Sequence, residues 1–202
     1  MLISLKGCGL HTAIAKAVDV LVKGGIIAYP TETLYGLGVR VMDKESVQRL
    51  FEIKGRPQDK PIPLIVGSLE VLKTIAEEIP PEAEKLIKEF WPGPLTLVFK
   101  AKASVSELLT AGTGTIAVRI PGESFALSLS RKIDFPITST SANPSGATPP
   151  EVADEVSRYF GDKIDLIIDG GKTPIGKPST IIDVTVKPWQ ILREGAITFD
   201  LK

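Results

Sequence analysis

The stretch Ile14-Ala15-Lys16-Ala17-Val18-Asp19-Val20-Leu21-Val22-Lys23-Gly24-Gly25-Ile26-Ile27-Ala28-Tyr29 decides the fold class. Ile14, Ala17, Val18, Leu21 and Val22 recur at the three- and four-residue spacing of one helix face, and Gly24-Gly25 closes that helix. Ile26-Ile27-Ala28-Tyr29 then reads as a short buried strand that delivers Pro30-Thr31-Glu32-Thr33 at its end. The same exchange of periodicity repeats outward. Asp43 is a good N-cap for a second helix, which turns Val47, Leu50 and Phe51 inward and stops at Gly55. Pro63-Leu64-Ile65-Val66 is the next apolar strand, and Ser68 caps a helix burying Leu72, Ile75 and Ala76. Pro80-Pro81 opens a helix that runs to Phe90, since proline is tolerated in a first turn. Trp91-Pro92-Gly93-Pro94 breaks it before a strand at Leu95-Thr96-Leu97-Val98-Phe99. Further strands are predicted over 115–120, 137–140, 164–168 and 180–184, with helices over 123–131 and 151–160. Strands alternating with helices predict an α/β layer architecture built on one sheet, and their uneven spacing argues against a regular doubly wound fold.

A chain of 202 residues is long enough for one well-buried core. Its 43% hydrophobic and 24% charged residues are ordinary for a globular protein, which excludes disorder. Lysine plus arginine equal aspartate plus glutamate at 24 each, so no global basic field exists to hold nucleic acid without sequence preference. A local patch could still hold a structured RNA. Cys8 is the only cysteine, which rules out an intrachain disulfide and a cysteine-based metal site. His11, the only histidine, stands at a helix start and reads as solvated or capping, so a histidine-based triad is not expected. No apolar run approaches the ~20 residues of a membrane span, and the amino terminus lacks an export signal. The expected location is the cytoplasm, with no membrane partner.

The chemistry is carried by cations and hydroxyls. Lys54, Arg56 and Lys60 fall in one run, Lys54-Gly55-Arg56-Pro57-Gln58-Asp59-Lys60, where a helix breaks and side chains can converge on an anion. Arg119 follows the apolar Ile116-Ala117-Val118, and a cation emerging from a buried strand needs a partner, either a ligand or a structural ion pair. Thr31 and Thr33 suit a ligand, but they suit equally the capping of a turn, and so does Ser179. Ser139-Thr140-Ser141-Ala142-Asn143-Pro144-Ser145-Gly146 is a loop rich in hydroxyls, and Arg193 lies near the end. Arginine grips phosphate or carboxylate with a planar fork, while lysine supplies a mobile charge. No G-x-x-x-x-G-K-[ST] loop is present, and Gly36-Leu37-Gly38 lacks the third glycine of a dinucleotide fingerprint. Asp169-Gly170-Gly171-Lys172 reads as a strand-ending turn, and no His-Cys-carboxylate cluster suggests a protein-held metal.

In order along the chain, Tyr29-Pro30-Thr31-Glu32-Thr33-Leu34-Tyr35-Gly36-Leu37-Gly38, Lys54-Gly55-Arg56-Pro57 with Lys60-Pro61, and Trp91-Pro92-Gly93-Pro94-Leu95-Thr96 form a series of motifs. Thr115-Ile116-Ala117-Val118-Arg119-Ile120-Pro121, Ser139 to Gly146, Pro178-Ser179-Thr180-Ile181-Ile182-Asp183 and Ile191-Leu192-Arg193-Glu194-Gly195 continue it. The series resembles the YrdC-like threonylcarbamoyl-AMP synthases over roughly residues 10 to 197. The resemblance implies a single domain over residues 1–202, with a twisted, open, mixed sheet flanked by helices and a large positively lined cavity. It implies condensation of L-threonine, bicarbonate and ATP to threonylcarbamoyl-AMP and pyrophosphate, a nucleotidyl transfer. Partner proteins then use the product to modify the adenosine beside the anticodon of transfer RNA, to which weak direct binding is conceivable.

By position in the family, Lys54 and Arg56 would be catalytic and, with Lys60, face the ATP phosphates. Thr33, Arg119, Ser179 and, more weakly, Thr31 would hold threonine. Thr115, Ser139, Ser141, Asn143 and Arg193 would contact the nucleotide, with Mg2+ carried by ATP itself. Two departures stand out. Thr148-Pro149-Pro150 replaces a serine that many members place near the nucleotide, and no threonine-pocket histidine aligns onto 61–67. The extra carboxy-terminal domain of longer relatives is not expected after Arg193. Two alternatives have different chemistry: an RNA-binding module without adenylation activity, and a carbamoyl-transfer domain. Salt-sensitive RNA binding without threonine-dependent pyrophosphate release would mark the module.

Overall fold

Helix ends fall where side-chain chemistry places them. Asp43 Oδ1 accepts the main-chain N–H of Ser46 at 3.1 Å, and the helix it starts ends on Gly55 in the left-handed region at φ 57°. Ser68 Oγ accepts from Val71 N at 3.3 Å, and Pro81 occupies a first helical turn. The computed structural model describes residues 1–199. Its elements in chain order begin with β1 (Leu2–Ser4), α1 (Leu5–Cys8), α2 (Leu10–Val22), β2 (Ile27–Pro30), β3 (Tyr35–Gly38), α3 (Lys44–Lys54) and β4 (Leu64–Ile65). They continue with α4 (Leu69–Ile75), α5 (Pro81–Phe90), β5 (Leu95–Lys100), α6 (Glu107–Thr110), β6 (Thr115–Arg119) and α7 (Phe125–Lys132). The remainder are β7 (Ile137–Thr138), β8 (Thr140–Ser141), α8 (Ala153–Phe160), β9 (Leu166–Asp169), β10 (Thr180–Asp183) and β11 (Gln190–Arg193).

The strands form two mixed sheets rather than the single sheet expected. One has the order β1-β9-β2-β3-β8 and the other β11-β10-β5-β6-β4-β7. The difference arises at the strand read over 137–140. Ile137 and Thr138 pair with β4 in the second sheet, Thr140 and Ser141 pair with β3 in the first, and Ser139 stands between them. The two sheets therefore meet at a corner, where Thr138 N donates to Val39 O at 3.0 Å and Val39 N donates to Thr138 Oγ1 at 3.1 Å.

Both faces of the central strands are buried, which is why they read as unbroken apolar runs. Ile27 and Tyr29 of β2 pack with Ala13, Ala17 and Leu21 of α2 and with Phe125 and Leu129 of α7. Ala28 faces the other way, into the larger core with Leu50, Phe51, Val118 and Ile182. β3 was not foreseen, because Gly36 and Gly38 weaken its local strand signal. The glycine at 38 makes room for an aromatic neighbour: a Cβ there would lie 2.7 Å from Tyr29 Cε1. Among the described residues no helix is long and apolar enough to cross a membrane.

Candidate functional site

The turn between β2 and β3 is shaped by Thr31. Its Oγ1 accepts the N–H groups of Thr33 and Leu34 at 3.0 and 3.1 Å and donates to Leu34 O at 2.7 Å. The capping role left open by the sequence is therefore real, and it places Thr33 on the open side of the turn. Thr31 and Thr33 Oγ1 lie 2.8 Å apart. Arg119, at the end of β6, reaches this turn from the opposite sheet. Its Nη2 donates to Thr33 Oγ1 at 3.2 Å, and its Nη1 is ion-paired with Glu32 Oε1.

This corner is one wall of a cleft between the two sheets that holds about 820 Å3, its open mouth included. Its lining contains Thr31, Thr33, Arg56, Arg119, Ser139, Ser141, Ser179 and Arg193. Three arginines from α3's exit, β6 and β11 thus share one chamber with the hydroxyls of four segments. Leu34, Pro63, Pro149 and Pro178 add apolar surface, so the departure at Pro149 puts a rigid, hydroxyl-free face where a serine was expected.

Ser179 and Arg193 form a second cluster. Arg193 Nε and Nη2 donate to Ser179 O at 3.0 and 2.8 Å, and Nη2 also reaches Ser179 Oγ at 3.1 Å. Thr96 of β5, not singled out from the sequence, lines the cleft and contacts Ser179 Oγ through its own hydroxyl at 2.8 Å. Its sequence signals were its place at the end of the motif Trp91 to Thr96 and a hydroxyl inside the otherwise apolar run of residues 95–99. Burial, followed by the nearby Arg119 charge, holds the Arg193 guanidinium below its usual pKa. Arg56 is lowered by burial, with Asp59 partly opposing the shift. Arg56 Nε and Nη2 are fixed by the carbonyls of Lys60 and Pro61 at 3.2 and 2.8 Å. Neither Arg56 nor Arg193 has a salt bridge to a carboxylate among the described residues. Two cations held by carbonyls and turned toward a half-enclosed space favour an anion there.

Four of the expected residues lie outside the lining. Lys54 is 3% exposed, and its Nζ donates to Ser141 O and Asn143 O at 2.5 and 2.6 Å. Burial, followed by the Arg56 charge, lowers the Lys54 ammonium to about 7. Asn143 is also buried, with Nδ2 donating to Pro144 O and Ala147 O. These two residues brace the loop that carries Ser141. Lys60 is exposed on the loop after α3, and Thr115 lies at the far end of β6, four residues and ~13 Å from Arg119. Asp169-Gly170-Gly171-Lys172 is a strand-ending turn as read, with Asp169 Oδ1 accepting from Gly171 N at 2.9 Å. No cluster of three or more histidine, cysteine or carboxylate groups suited to a metal occurs among the described residues.

Comparisons with known proteins converge on one family. The Sua5/yciO/yrdC family model, described as "Telomere recombination", matches residues 19–195. A protein of Pyrococcus abyssi named threonylcarbamoyl-AMP synthase is 46% identical over 184 residues, 91% of this chain and 54% of its own length. A protein of the same name from Marinobacter nauticus is 36% identical, covering 85% of this chain and 90% of its own. Among solved structures, P. abyssi Sua5 complexed with L-threonine superposes with a TM-score of 0.87 at 47% identity, over 90% of this chain and 54% of that one. The chain thus spans about half the length of its Pyrococcus relative.

Proposed function

Because the chain belongs to the Sua5/yciO/yrdC family, we propose that it is an L-threonylcarbamoyladenylate synthase, a nucleotidyltransferase. It would join L-threonine, bicarbonate and ATP into threonylcarbamoyl-AMP and pyrophosphate. The observation that carries this reading is the convergence of Arg56, Arg119 and Arg193 on one hydroxyl-lined cleft. The complex of the Pyrococcus relative with L-threonine supports an amino acid as one occupant.

The chemistry asks little covalent work of the protein. Threonine's neutral amine adds to the carbon of bicarbonate and water leaves with its hydroxyl, giving a carbamate; with carbon dioxide in its place, the amine proton alone is released to solvent. A carbamate oxygen then attacks the α-phosphorus of ATP, and pyrophosphate leaves with the bonding electrons of the α–β bridge. Catalysis comes from alignment and from cations facing the phosphates as charge shifts to the leaving group. Arg56 and Arg193, free of carboxylate partners, suit that task. Arg119, Thr33 and Ser179 take the threonine end, and Ser139 and Ser141 face the nucleotide. Lys54 and Asn143 serve by bracing the Ser141 loop, and Thr31 by shaping the turn. Lys60 and Thr115 contact ATP only where its outer end extends past the cleft. Magnesium arrives as the counter-ion of the triphosphate, which needs no carboxylate cage. The adenylate is then passed to proteins that modify transfer RNA.

The test is to incubate the protein with ATP, bicarbonate and labelled amino acids. Pyrophosphate and an acid-labile adenylate are expected with threonine and absent when bicarbonate is removed. Pyrophosphate release that ignores both threonine and bicarbonate rejects the assignment.

A further inference from the structure

Among the described residues, Glu32 is the only buried carboxylate. It is 5% exposed, lies behind the cleft wall without lining it, and holds Arg119 Nη1 through Oε1. Its other oxygen, Oε2, is buried without a hydrogen-bond partner. A buried ion pair with an unsatisfied oxygen is a poor device for stability, since apolar side chains of similar volume do as well or better. The surroundings nevertheless clamp it. A Cβ on Gly122 would come within 3.1 Å of Glu32 Cγ, and Glu32 O accepts from Ile175 N at 3.2 Å.

A guanidinium only donates, so Thr33 Oγ1 accepts from Arg119 Nη2. Its other hydroxyl partner is Thr31 Oγ1, 2.8 Å away and itself fixed by the main chain of residues 33 and 34. Gripped from both sides, the Thr33 hydroxyl keeps one orientation at the cleft wall. Loss of the grip on Arg119 would free that hydroxyl to rotate and would let the guanidinium turn away from the position it now holds.

We propose that Glu32 is a positioning residue for the amino-acid substrate. It fixes Arg119, and through Arg119 it holds the Thr33 hydroxyl oriented toward the substrate while the remaining guanidinium N–H groups meet the substrate's carboxylate. This inference rests on the reading of the cleft as a threonine site. The experiment compares wild type with Glu32→Gln, which keeps the shape and removes the charge. Threonine and ATP dissociation constants are measured separately by calorimetry, together with the melting temperature and the NMR signals of the Arg119 guanidinium. Loss of a charge-assisted bond predicts threonine binding weaker by about tenfold, with ATP binding unchanged and slowed guanidinium rotation in the wild type only. Unchanged threonine binding overturns the proposal. So does equal weakening of both ligands with a lowered melting temperature, which would make Glu32 merely structural. Tighter threonine binding also overturns it, by showing a counter-charge instead of a guide. If the wild type itself binds no threonine, the amino-acid reading fails, and the guanidinium signals still decide whether Glu32 holds Arg119.

Discussion

The two sides of the cleft treat their arginines in opposite ways. Arg119 is paired with a buried carboxylate, so its corner is electrically neutral and works by direction. Among the described residues Arg56 and Arg193 are held by main-chain carbonyls and Ser179 without a salt bridge, so their side keeps a net positive charge. A neutral, directional corner suits a zwitterion, whose charges cancel at a distance. A charged side suits a polyphosphate. With the function proposed above, one chamber would orient two unlike substrates without either being drawn into the other's place.

The sharpest way to break this contrast is Arg119→Ala. It strands the Glu32 carboxylate, which should cost about 3–5 kcal/mol of stability and abolish threonine-dependent pyrophosphate release. Denaturant titration and a turnover assay check the two parts. Arg56→Ala should leave the melting temperature near that of wild type, because no buried partner is abandoned. It should raise the ATP dissociation constant about 10- to 100-fold, as expected for one charged hydrogen-bonding group. Equal destabilisation by both variants would erase the distinction between the two sides. Gly195→Ala tests the Arg193 side through its backbone, since a Cβ there would lie 2.4 Å from Pro178 O. A strain of about 1–3 kcal/mol should displace Ser179 and Arg193 and weaken ATP binding more than threonine binding.

Lys54 gives a pH-dependent contrast with its exposed neighbour. Its folded pKa of about 7 lies below the unfolded value, so the unfolded chain holds the extra proton above pH 7. Wild-type stability should therefore rise from this group between pH 7 and its unfolded pKa and fall as pH drops through 7. Lys54→Met should lack that slope in denaturant titrations at pH 7 and pH 9. The smallest expected effect is ionic. Raising salt should weaken ATP binding while threonine binding changes little, because screening acts on net charge.

Much of this arrangement was legible in the sequence, and what was not has physical reasons. Asp43, Gly55, Ser68 and Pro81 were read correctly because capping is decided within four residues. The division into two sheets was not, because strand pairing depends on distant partners and the strand read over 137–140 gives no local sign of its change of partner. Lys54 was grouped with Arg56 as a ligand contact, yet Val47, Leu50, Phe51 and Lys54 share one buried helix face. That phase, legible in the spacing, accounts for Lys54 bonding two carbonyls outside the cleft lining. For Arg119 the sequence demanded a partner without naming one, and Glu32, flanked by two threonines, carried no periodic signal. The hydroxyls at 31, 33, 139, 141 and 179 were expected from the order of their motifs and line the cleft, whereas Thr96, quoted in a motif of its own, was given no role there.

Ser139 alone separates the strand that ends one sheet from the strand that begins in the other. A single residue extends the chain by at most ~3.6 Å, so the corner cannot gape like a pair of hinged domains. The span between facing walls is thereby set by a covalent tether, and any adjustment to substrates of different bulk falls to side chains and connecting loops. Lengthening the tether by one glycine would loosen that span while leaving every recognised side chain in place.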